Sequence, residues 1–426
     1  MPFCSESPIS TRNAHSFSIL YFLVGFAIVI STVAALPAQG QTRLTLHDAI
    51  RAAQNSPLVR MGQAQVMAAQ GGVKQAGLRP NPRLFLQSED LRPWSNNFNF
   101  SDNTEDYAYV SQTIETAGKR SARLRYADAN LRETEAQNAF QLQQLAGRVA
   151  ASYWAAVSTA RISQLLAEDL AAVDDMVRYH QLRVDAGAMR GADLLRMQIE
   201  RDRLFIALQA AQRDAALARV DLGRQIGHRL EENIELSDSI DTIDAVPAEE
   251  LAEVLARRQD VVVAQEAVAA AEAEVKLQKS LRVPDFDVVG GYKRNSGTNT
   301  LYTGLQIPLP FRNRNQGEVQ RASANVQVAQ AQLDEMKLTA EAEVNAATEA
   351  YTRELQIVEM TLPEMRDHAR KNLAIMSNAY RTGGVDLLRY IDAERTEIEV
   401  ESNALRTLSE FHQSALRLEL SYGVQP

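Results

Sequence analysis

The chain has 426 residues, a formal net charge of −9 at pH 7, and only 6% aromatic residues. Its basic residues are dispersed, which excludes the concentrated basic surface of a nucleic-acid-binding protein. The composition favours helices packed through small residues over a bulky globular core. The single cysteine, Cys4, lies in a segment that we expect to be removed, so the mature chain should hold neither a disulfide nor a thiolate metal site.

The first forty residues have the pattern of an export signal. Residues 17–36 form a nearly unbroken apolar run after Arg12 and His15, and residues 37–40 follow with small residues at the positions that a signal peptidase needs. This pattern predicts a cleaved secretory signal peptide over residues 1–40. The competing interpretation is an uncleaved anchor helix, since about 20 apolar residues can span a bilayer.

The rest of the chain contains an internal repeat with a period of roughly 194 residues. Three motifs recur in the same order: residues 78–82 at 281–284, residues 112–120 at 306–314, and residues 193–196 at 386–389. We therefore predict a first repeat over residues 41–230 and a second over residues 251–426. The acidic residues 231–250 between them are expected to form a solvated linker.

The first repeat begins with amphipathic helices over residues 44–55 and 58–78, which prolines 80 and 82 bring to an end. A strand hairpin is predicted at about 83–113, because apolar and polar residues alternate on either side of a polar loop. A long helical hairpin follows at about 118–226, with its turn at 185–187.

The second repeat has the same order. A helix over residues 260–281 precedes a strand hairpin at about 285–307, and a long helical hairpin follows at about 312–422 with its turn at 382–386. Apolar or small residues on its outgoing helix recur in steps of three and four, which is typical of one buried stripe. Pro363 predicts a bend or a frayed turn near Leu362.

Two strand hairpins give four strands, fewer than the roughly eight that the smallest membrane barrels need. The four strands could form a small soluble sheet, or several chains could pool them. Four tyrosines favour pooling because they resemble an interfacial girdle: Tyr107, Tyr109, Tyr292 and Tyr302. Three chains would supply twelve strands.

With this duplicated plan, the chain resembles the TolC family of outer-membrane channels over everything after the signal. The strand-to-helix corner at 307–317 and the turn at 380–393 most resemble the CzcC-like components of cobalt–zinc–cadmium efflux systems. The resemblance implies a mainly α fold with a small β part. Long antiparallel helical hairpins would form an α-barrel in the periplasm, and a homotrimer would pool its strands into a twelve-stranded outer-membrane β-barrel.

The resemblance also implies a function and partners. The chain would conduct substrate passively, with divalent heavy-metal cations as the expected cargo, and would contact outer-membrane lipid. Its partners would be a periplasmic adaptor and an inner-membrane pump of the RND type. Export of organic compounds or proteins by the same kind of channel is one alternative, and a periplasmic coiled-coil adaptor is another. The sequence shows no nucleophile–base arrangement or phosphate loop, so we predict neither an enzyme nor a cofactor.

A periplasmic gate is implied at the second turn. Asp392 and Tyr380 match family positions that line or lock the constriction, where an aspartate ring from three chains would favour cations. Arg389 stands where relatives have a second aspartate, and it could close the aperture by pairing with Asp392, Asp386 or Glu394. The alternative is an ordinary solvated aspartate and a capping tyrosine.

The turns and corners supply the other candidate residues. The turns are expected to be exposed and to receive the adaptor, through Gly187, Asp193, Leu194, Gly383, Gly384, Val385, Asp386 and Leu387. Asp193 and Asp386 are expected to cap the returning helices. The strand-to-helix corners comprise Gly118, Lys119, Arg120, Pro308, Pro310, Arg312 and Asn313. The histidines are scattered without helical ligand spacing, so no metal site is predicted.

Overall fold

The computed structural model describes residues 43–231 and 234–424. It is mainly helical with a small β part, a four-stranded sheet and a two-stranded parallel pair, as the predicted fold class requires. The predicted signal peptide, residues 1–40, lies outside the described residues. None of the helices in the described ranges combines the length and the apolar character needed to cross a bilayer.

The first half of the chain folds into short elements, half of the sheet and one very long helical hairpin. Its elements are β1 (Arg43–Leu44), α1 (Leu46–Ala53), α2 (Pro57–Ala76), β2 (Arg83–Glu89), α3 (Phe100–Asn103), β3 (Glu105–Ile114), α4 (Lys119–Asp185) and α5 (Gly191–Ile226). The Thr45 side chain caps α1 by accepting from the Asp48 N–H, and Pro57 takes the first position of α2, where its missing N–H costs nothing. Helix α4 has 67 residues and is therefore about 100 Å long at roughly 1.5 Å per residue.

The second half repeats this order. Its elements are β4 (Glu235–Leu236), α6 (Leu251–Arg257), α7 (Gln259–Ser280), β5 (Phe286–Asn295), β6 (Thr298–Gln306), α8 (Gln316–Gln356), a π turn (Ile357–Thr361), α9 (Leu362–Arg381) and α10 (Leu387–Ser421). Helices α8 and α9 with the π turn make one continuous arm, and α10 returns along it.

The π turn lies just before Pro363 and accommodates the proline in this arm. The Leu362 N–H donates to the Ile357 carbonyl five residues earlier, instead of four. A proline ring collides with the carbonyl four residues before it and offers no N–H, and a wider turn relieves that collision. The arm therefore continues through the proline, and of the predicted bend or frayed turn the frayed turn is absent.

The sheet joins the two halves of the chain. Its strands lie in the order β2-β3-β5-β6, all antiparallel, so the central pair β3–β5 unites the two hairpins. Gly291 lies opposite Tyr109, and a Cβ on it would stand 2.4 Å from the Tyr109 Cα. Only glycine fits so close to the neighbouring strand.

Opposed residues share a face of the sheet, and the two faces differ in chemistry. One is apolar and exposed, and it carries Leu84, Leu86, Ala108, Val110, Val288, Tyr292, Leu301 and Leu305. The other is polar around an aromatic cluster, with Arg83, Gln87, Glu105, Thr113, Asp287, Lys293, Thr300 and Gln306 beside Phe85, Tyr107, Tyr109 and Tyr302. Of the four tyrosines predicted to form a girdle, Tyr292 alone lies on the apolar face.

The main core lies where the two helical hairpins pack together, chiefly through α4 and α10. Tyr153 and Phe411 are its largest fully buried side chains, while Ala150, Ala156 and Ala404 let the helices approach closely. The Tyr153 hydroxyl donates to the Leu44 carbonyl, which also ties the start of the described chain to the hairpins.

The interpretation of residues 231–250 as a solvated connector is wrong in part, because apolar side chains of the described part enter the core. Ile240 is 2% exposed, and its carbonyl accepts from Nε2 of His412 on α10 at 2.9 Å. Further along, the Val246 N–H donates to the Tyr351 hydroxyl at 2.9 Å. The described part of the segment is a belt across the helical arms, with its acidic side chains outside and its apolar side chains in the core.

Candidate functional site

The two helical turns, which we call the tips, have the same backbone geometry. At the first tip Gly187 has φ 71°, and the Ala188 N–H donates to the Arg183 carbonyl. At the second, Gly383 has φ 78°, and the Gly384 N–H donates to the Ala379 carbonyl. Both turns close the preceding helix with a residue in the left-handed region, which glycine adopts without strain.

The predicted docking leucines do not lie on the surface of the tips. Leu194 and Leu387 are buried and anchor the returning helices in the core, so the prediction that both are exposed is wrong. The next residue on each helix, Leu195 or Leu388, is exposed instead, and so is Leu182 before the first turn. Val385 is half-buried. Because each helical step turns the side chain by about 100°, neighbouring residues face different environments.

The two predicted capping aspartates behave differently. Asp386 is the N-cap of α10, and its carboxylate accepts from the Arg389 N–H at 3.1 Å. Asp193 is not a cap, because Arg190 occupies that position of α5 and Asp193 lies inside the first turn. There its negative charge still faces the positive end of the helix dipole.

Tyr380, a predicted gate residue, is braced between the tips. Its ring stacks on those of His180 and Tyr390, with centroids 5.9 and 5.4 Å away. Nδ1 of His180 lies 2.7 Å from the Met176 carbonyl and must donate to it, so in the neutral ring Nε2 accepts from the Tyr380 hydroxyl at 2.6 Å. Burial raises the pKa of Tyr380 above its ordinary value.

Sequence reasoning missed His180 and Tyr390. His180 is fully buried and continues the apolar stripe of α4 that includes Val173 and Val177. A histidine in register with such a stripe was the one available signal, and its partner 200 residues away could not be read from it. Together His180 and Tyr380 join the first tip to the second.

Asp392 and Arg389, the other predicted gate residues, are exposed on α10. Within the described chain the Arg389 guanidinium forms no ion pair, so the predicted pairing with Asp392, Asp386 or Glu394 is absent inside one protomer. The nearby Arg395 is held by a two-pronged contact to Glu200 on α5.

The strand-to-helix corners are held by polar contacts between the two halves. Nζ of the buried Lys119 lies 2.6 Å from Oδ1 of Asp285, and the same oxygen accepts from the Thr116 N–H at 2.8 Å. Gly118 precedes α4 with φ 66°, and Nε of Arg120 donates to the Gly77 carbonyl at 2.6 Å. These contacts fix where the first long helix leaves the sheet.

At the second corner, different residues form the connection between the sheet and the long helix α8. The Asn313 side chain accepts from the Asn315 N–H at 3.0 Å, and Asn315 takes a left-handed conformation before α8. Pro308 and Pro310 lie in the exposed segment between sheet and helix, and Arg312 is exposed beside them. Across the described residues, no group of three or more His, Cys, Asp or Glu side chains is arranged to hold a metal ion.

A family model described as outer membrane efflux protein matches residues 50–228 and 251–424. The cobalt-zinc-cadmium resistance protein CzcC of Cupriavidus metallidurans is 23% identical over 397 residues, covering 92% of this chain and 93% of that protein. The nickel and cobalt resistance protein CnrC of the same organism is 27% identical over 296 residues, covering 67% and 68%.

Solved structures show the same fold. The open state of the MtrE outer membrane channel of Neisseria gonorrhoeae superposes with a TM-score of 0.76 at 18% identity, covering 89% of each chain. CusC, described in work on transmembrane channel formation, gives 0.74 at 17% identity and covers 89% of this chain and 92% of its own.

Proposed function

Because the chain belongs to the outer membrane efflux protein family, we propose that it exports divalent heavy-metal cations across the outer membrane. It is an efflux channel whose helical hairpins lie in the periplasm. In the proposed role it conducts cations passively from a periplasmic adaptor and an inner-membrane pump of the RND type, without chemistry of its own.

The observation that carries the metal assignment is the end-to-end match to a cobalt-zinc-cadmium resistance protein, which spans both repeats and both tips. Two further relatives are named for nickel, cobalt or cadmium resistance. The exposed Asp392 on α10 suits a cation pathway, since a carboxylate ring lowers the energy of a cation at a narrow aperture.

We propose a homotrimer on the evidence of the sheet. Its outer strands β2 and β6 each have one edge without a partner in the described chain, and such edges pair with further strands. Pairing β6 of one copy with β2 of the next, three times, closes a ring of twelve strands. The apolar face would then meet outer-membrane lipid and the polar face would line the lumen.

The tips are the proposed adaptor-docking surface. The exposed Leu182, Leu195 and Leu388 surround the two turns that contain Gly187, Gly383 and Gly384. Exposed leucines at the end of a helical bundle favour packing against another helical protein. This surface rests on the buried Leu194 and Leu387 and on the half-buried Asp193. The second turn contains Val385 and the capping residue Asp386.

The gate remains at the second tip in this proposal. Asp392 and Arg389 have no ion pair with each other inside one protomer, so the closing contacts form between protomers, where three copies of α10 converge. Tyr380, held by His180 and Tyr390, sets the spacing of the tips. Removing either charge, in Asp392→Ala or Arg389→Ala, should enlarge the conductance in planar bilayers.

Deletion and complementation test the cargo. A strain lacking this chain should lose tolerance to zinc, cobalt, nickel or cadmium, and the wild-type chain should restore it. Unchanged metal tolerance together with sensitivity to dyes or antibiotics would overturn the metal assignment and favour an organic-compound channel. The native mass of the mature protein in mild detergent tests the trimer separately, because a monomer would refute strand pooling.

A further inference from the structure

A layer of four carboxyl groups interrupts the apolar interface between α4 and α10. We call it the acid layer, and it consists of Asp169 on α4 and Glu394, Glu397 and Glu401 on α10. The three glutamates recur in steps of three and four, so they share one face of their helix. Glu394 lies about 10 Å from the start of α10 at roughly 1.5 Å per residue.

Asp169 occupies a position of α4 where the spacing of the buried stripe predicts an apolar residue. It follows Leu166 by three residues and precedes Val173 by four, and both of these are buried in the main core. The steps of α4 therefore aim the Asp169 carboxyl at α10. An aspartate in this stripe is costly unless it gains a partner.

Two members of the acid layer lack such a partner. Glu394 is 9% exposed, and its Oε2 is buried without a hydrogen bond in the described chain, as is Oδ2 of Asp169. A buried carboxylate without a donor or a cation is among the most unfavourable groups in a protein interior.

The neighbouring cations pair with carboxylates other than Asp169 and Glu394. Arg366 on α9 pairs with Glu401 and with Asp241 of the belt, both at 2.9 Å. Arg370 on α9 pairs with Glu401 at 2.7 Å. Arg395, the cation of α10 beside the acid layer, is held by Glu200 of α5.

Arg203 on α5 lines the same cavity as Glu394, and its guanidinium lies 3.7 Å from Glu200. The other charges that face Asp169 and Glu394 from the surrounding helices are negative and come from Glu168 on α4, Glu200 on α5, and Glu397 and Glu401 on α10. Burial, reinforced by these charges, raises the pKa of Asp169 and that of Glu394 to about 7 each. Burial likewise raises the pKa of Glu397.

We propose that Asp169 and Glu394 form a proton-binding site that couples the packing of the two helical hairpins to pH. A bound proton removes one negative charge from the interface, and its loss leaves two carboxylates, neither of which has an ion-pair partner in the described chain. The inference goes beyond the proposed function, because it concerns the packing of α4 against α10 whatever cargo the channel carries.

The sign of the pH dependence follows from the raised pKa values. A carboxyl that is harder to ionise in the folded chain stabilises it most below the ordinary carboxyl pKa of about 4. This contribution is lost as the pH rises towards and through about 7. Above that pH the two hairpins should separate more easily near the tips.

Thermal unfolding of the purified mature protein between pH 5 and 8 tests the site. We expect the wild-type Tm to fall as the pH rises. Glu394→Gln should raise Tm at pH 8 by roughly 2 to 4 °C or more and flatten the pH profile. Asp169→Asn is the second variant, since an amide at either position removes the same repulsion. Glu399→Gln is the matched control, because Glu399 lies on the same helix but is exposed.

Each outcome is decisive. If Glu394→Gln and Asp169→Asn keep the wild-type pH slope, the site does not bind the proton and the proposal is wrong. If Mg²⁺ or Zn²⁺ at pH 8 raises the Tm of the wild type but not that of Glu394→Gln, the acid layer binds a metal cation instead, which also overturns it. Flattened profiles in both variants, with an unchanged slope in Glu399→Gln, support the proton site.

Discussion

At the scale of single residues, the contact between His180 and Tyr380 is a direct polar link between the tips. Tyr380→Phe keeps the stacked ring but removes the hydroxyl that donates to Nε2 of the buried His180. A buried acceptor left without its donor costs about 1–3 kcal/mol. We expect faster amide hydrogen exchange in residues 176–184 and 376–391, with the remaining helices unchanged.

Tyr179→Phe provides the control for this variant. Tyr179 neighbours His180 but is exposed, and its hydroxyl only accepts from Arg183 at 3.4 Å. Its loss should leave exchange at both tips as in the wild type. Equal exchange in Tyr380→Phe and the wild type would show that stacking alone joins the tips.

Arg258 is a buried arginine at the centre of an ion-pair network. Its guanidinium is buried and lies 2.5 Å from both Asp260 and Glu343, and it also donates to the Ser421 carbonyl. Arg258→Ala leaves Asp260 as a buried charge without its partner, which costs about 3–5 kcal/mol. Chemical denaturation should show this loss in the free energy of unfolding.

The control for Arg258 is an exposed ion pair on α8. Arg353 pairs with Glu349 one helical turn away, and both side chains are largely exposed. Arg353→Ala should change the free energy of unfolding by less than about 1 kcal/mol. A similar small change in Arg258→Ala would mean that water or a neighbouring side chain replaces the guanidinium.

At the scale of elements, the helices and strands could be predicted from periodicity because their apolar faces repeat every 3.6 or two residues. The belt had no such period. Ile240, Ile243 and Val246 enter the core but are separated by acidic and small residues. The acidic residues of the segment therefore led to the prediction of a solvated linker. Local sequence also could not show that Pro363 would be accommodated by a π turn, since that depends on the packing of the whole arm.

The belt can be tested at Ile240. Ile240→Ala removes a side chain that is 2% exposed and should destabilise the folded chain by about 2–5 kcal/mol, measured by chemical denaturation. Thr242→Ala is the control, because Thr242 lies in the same segment but is exposed. Equal stability of the two variants would restore the interpretation of a solvated connector.

At the scale of the whole molecule, the duplicated plan and the resemblance to the family were predictable because both are carried by short motifs, each of them continuous in the sequence. The arrangement of the predicted gate residues was harder to predict from the sequence. Asp386 as a cap follows from its place before a helix, but the bracing of Tyr380 by His180 requires two distant helices to be brought side by side. The burial of Leu194 and Leu387 likewise depends on which way each returning helix faces.

The two-faced sheet gives the sharpest test of how the whole molecule is placed. Leu305 and Gln306 are neighbours on β6 and point to different faces of the sheet. Leu305 is paired with Val288 on β5, and Gln306 with Asp287. If three copies pool their strands in the outer membrane, Leu305→Lys puts a charge among lipid chains. A lysine on the lipid face costs about 2–4 kcal/mol near the bilayer midplane, whereas Gln306→Lys puts the same side chain beside the Asp287 carboxylate.

We therefore expect Leu305→Lys to lower the amount of trimer recovered from outer membranes, and Gln306→Lys to leave it near the wild-type level. Quantitative native gels of membrane extracts would measure both, with total expression as the reference. Equal recovery of the two variants would mean that the apolar face does not meet lipid. Loss of trimer in Gln306→Lys alone would mean that the two faces have the reverse roles, with the aromatic face outward.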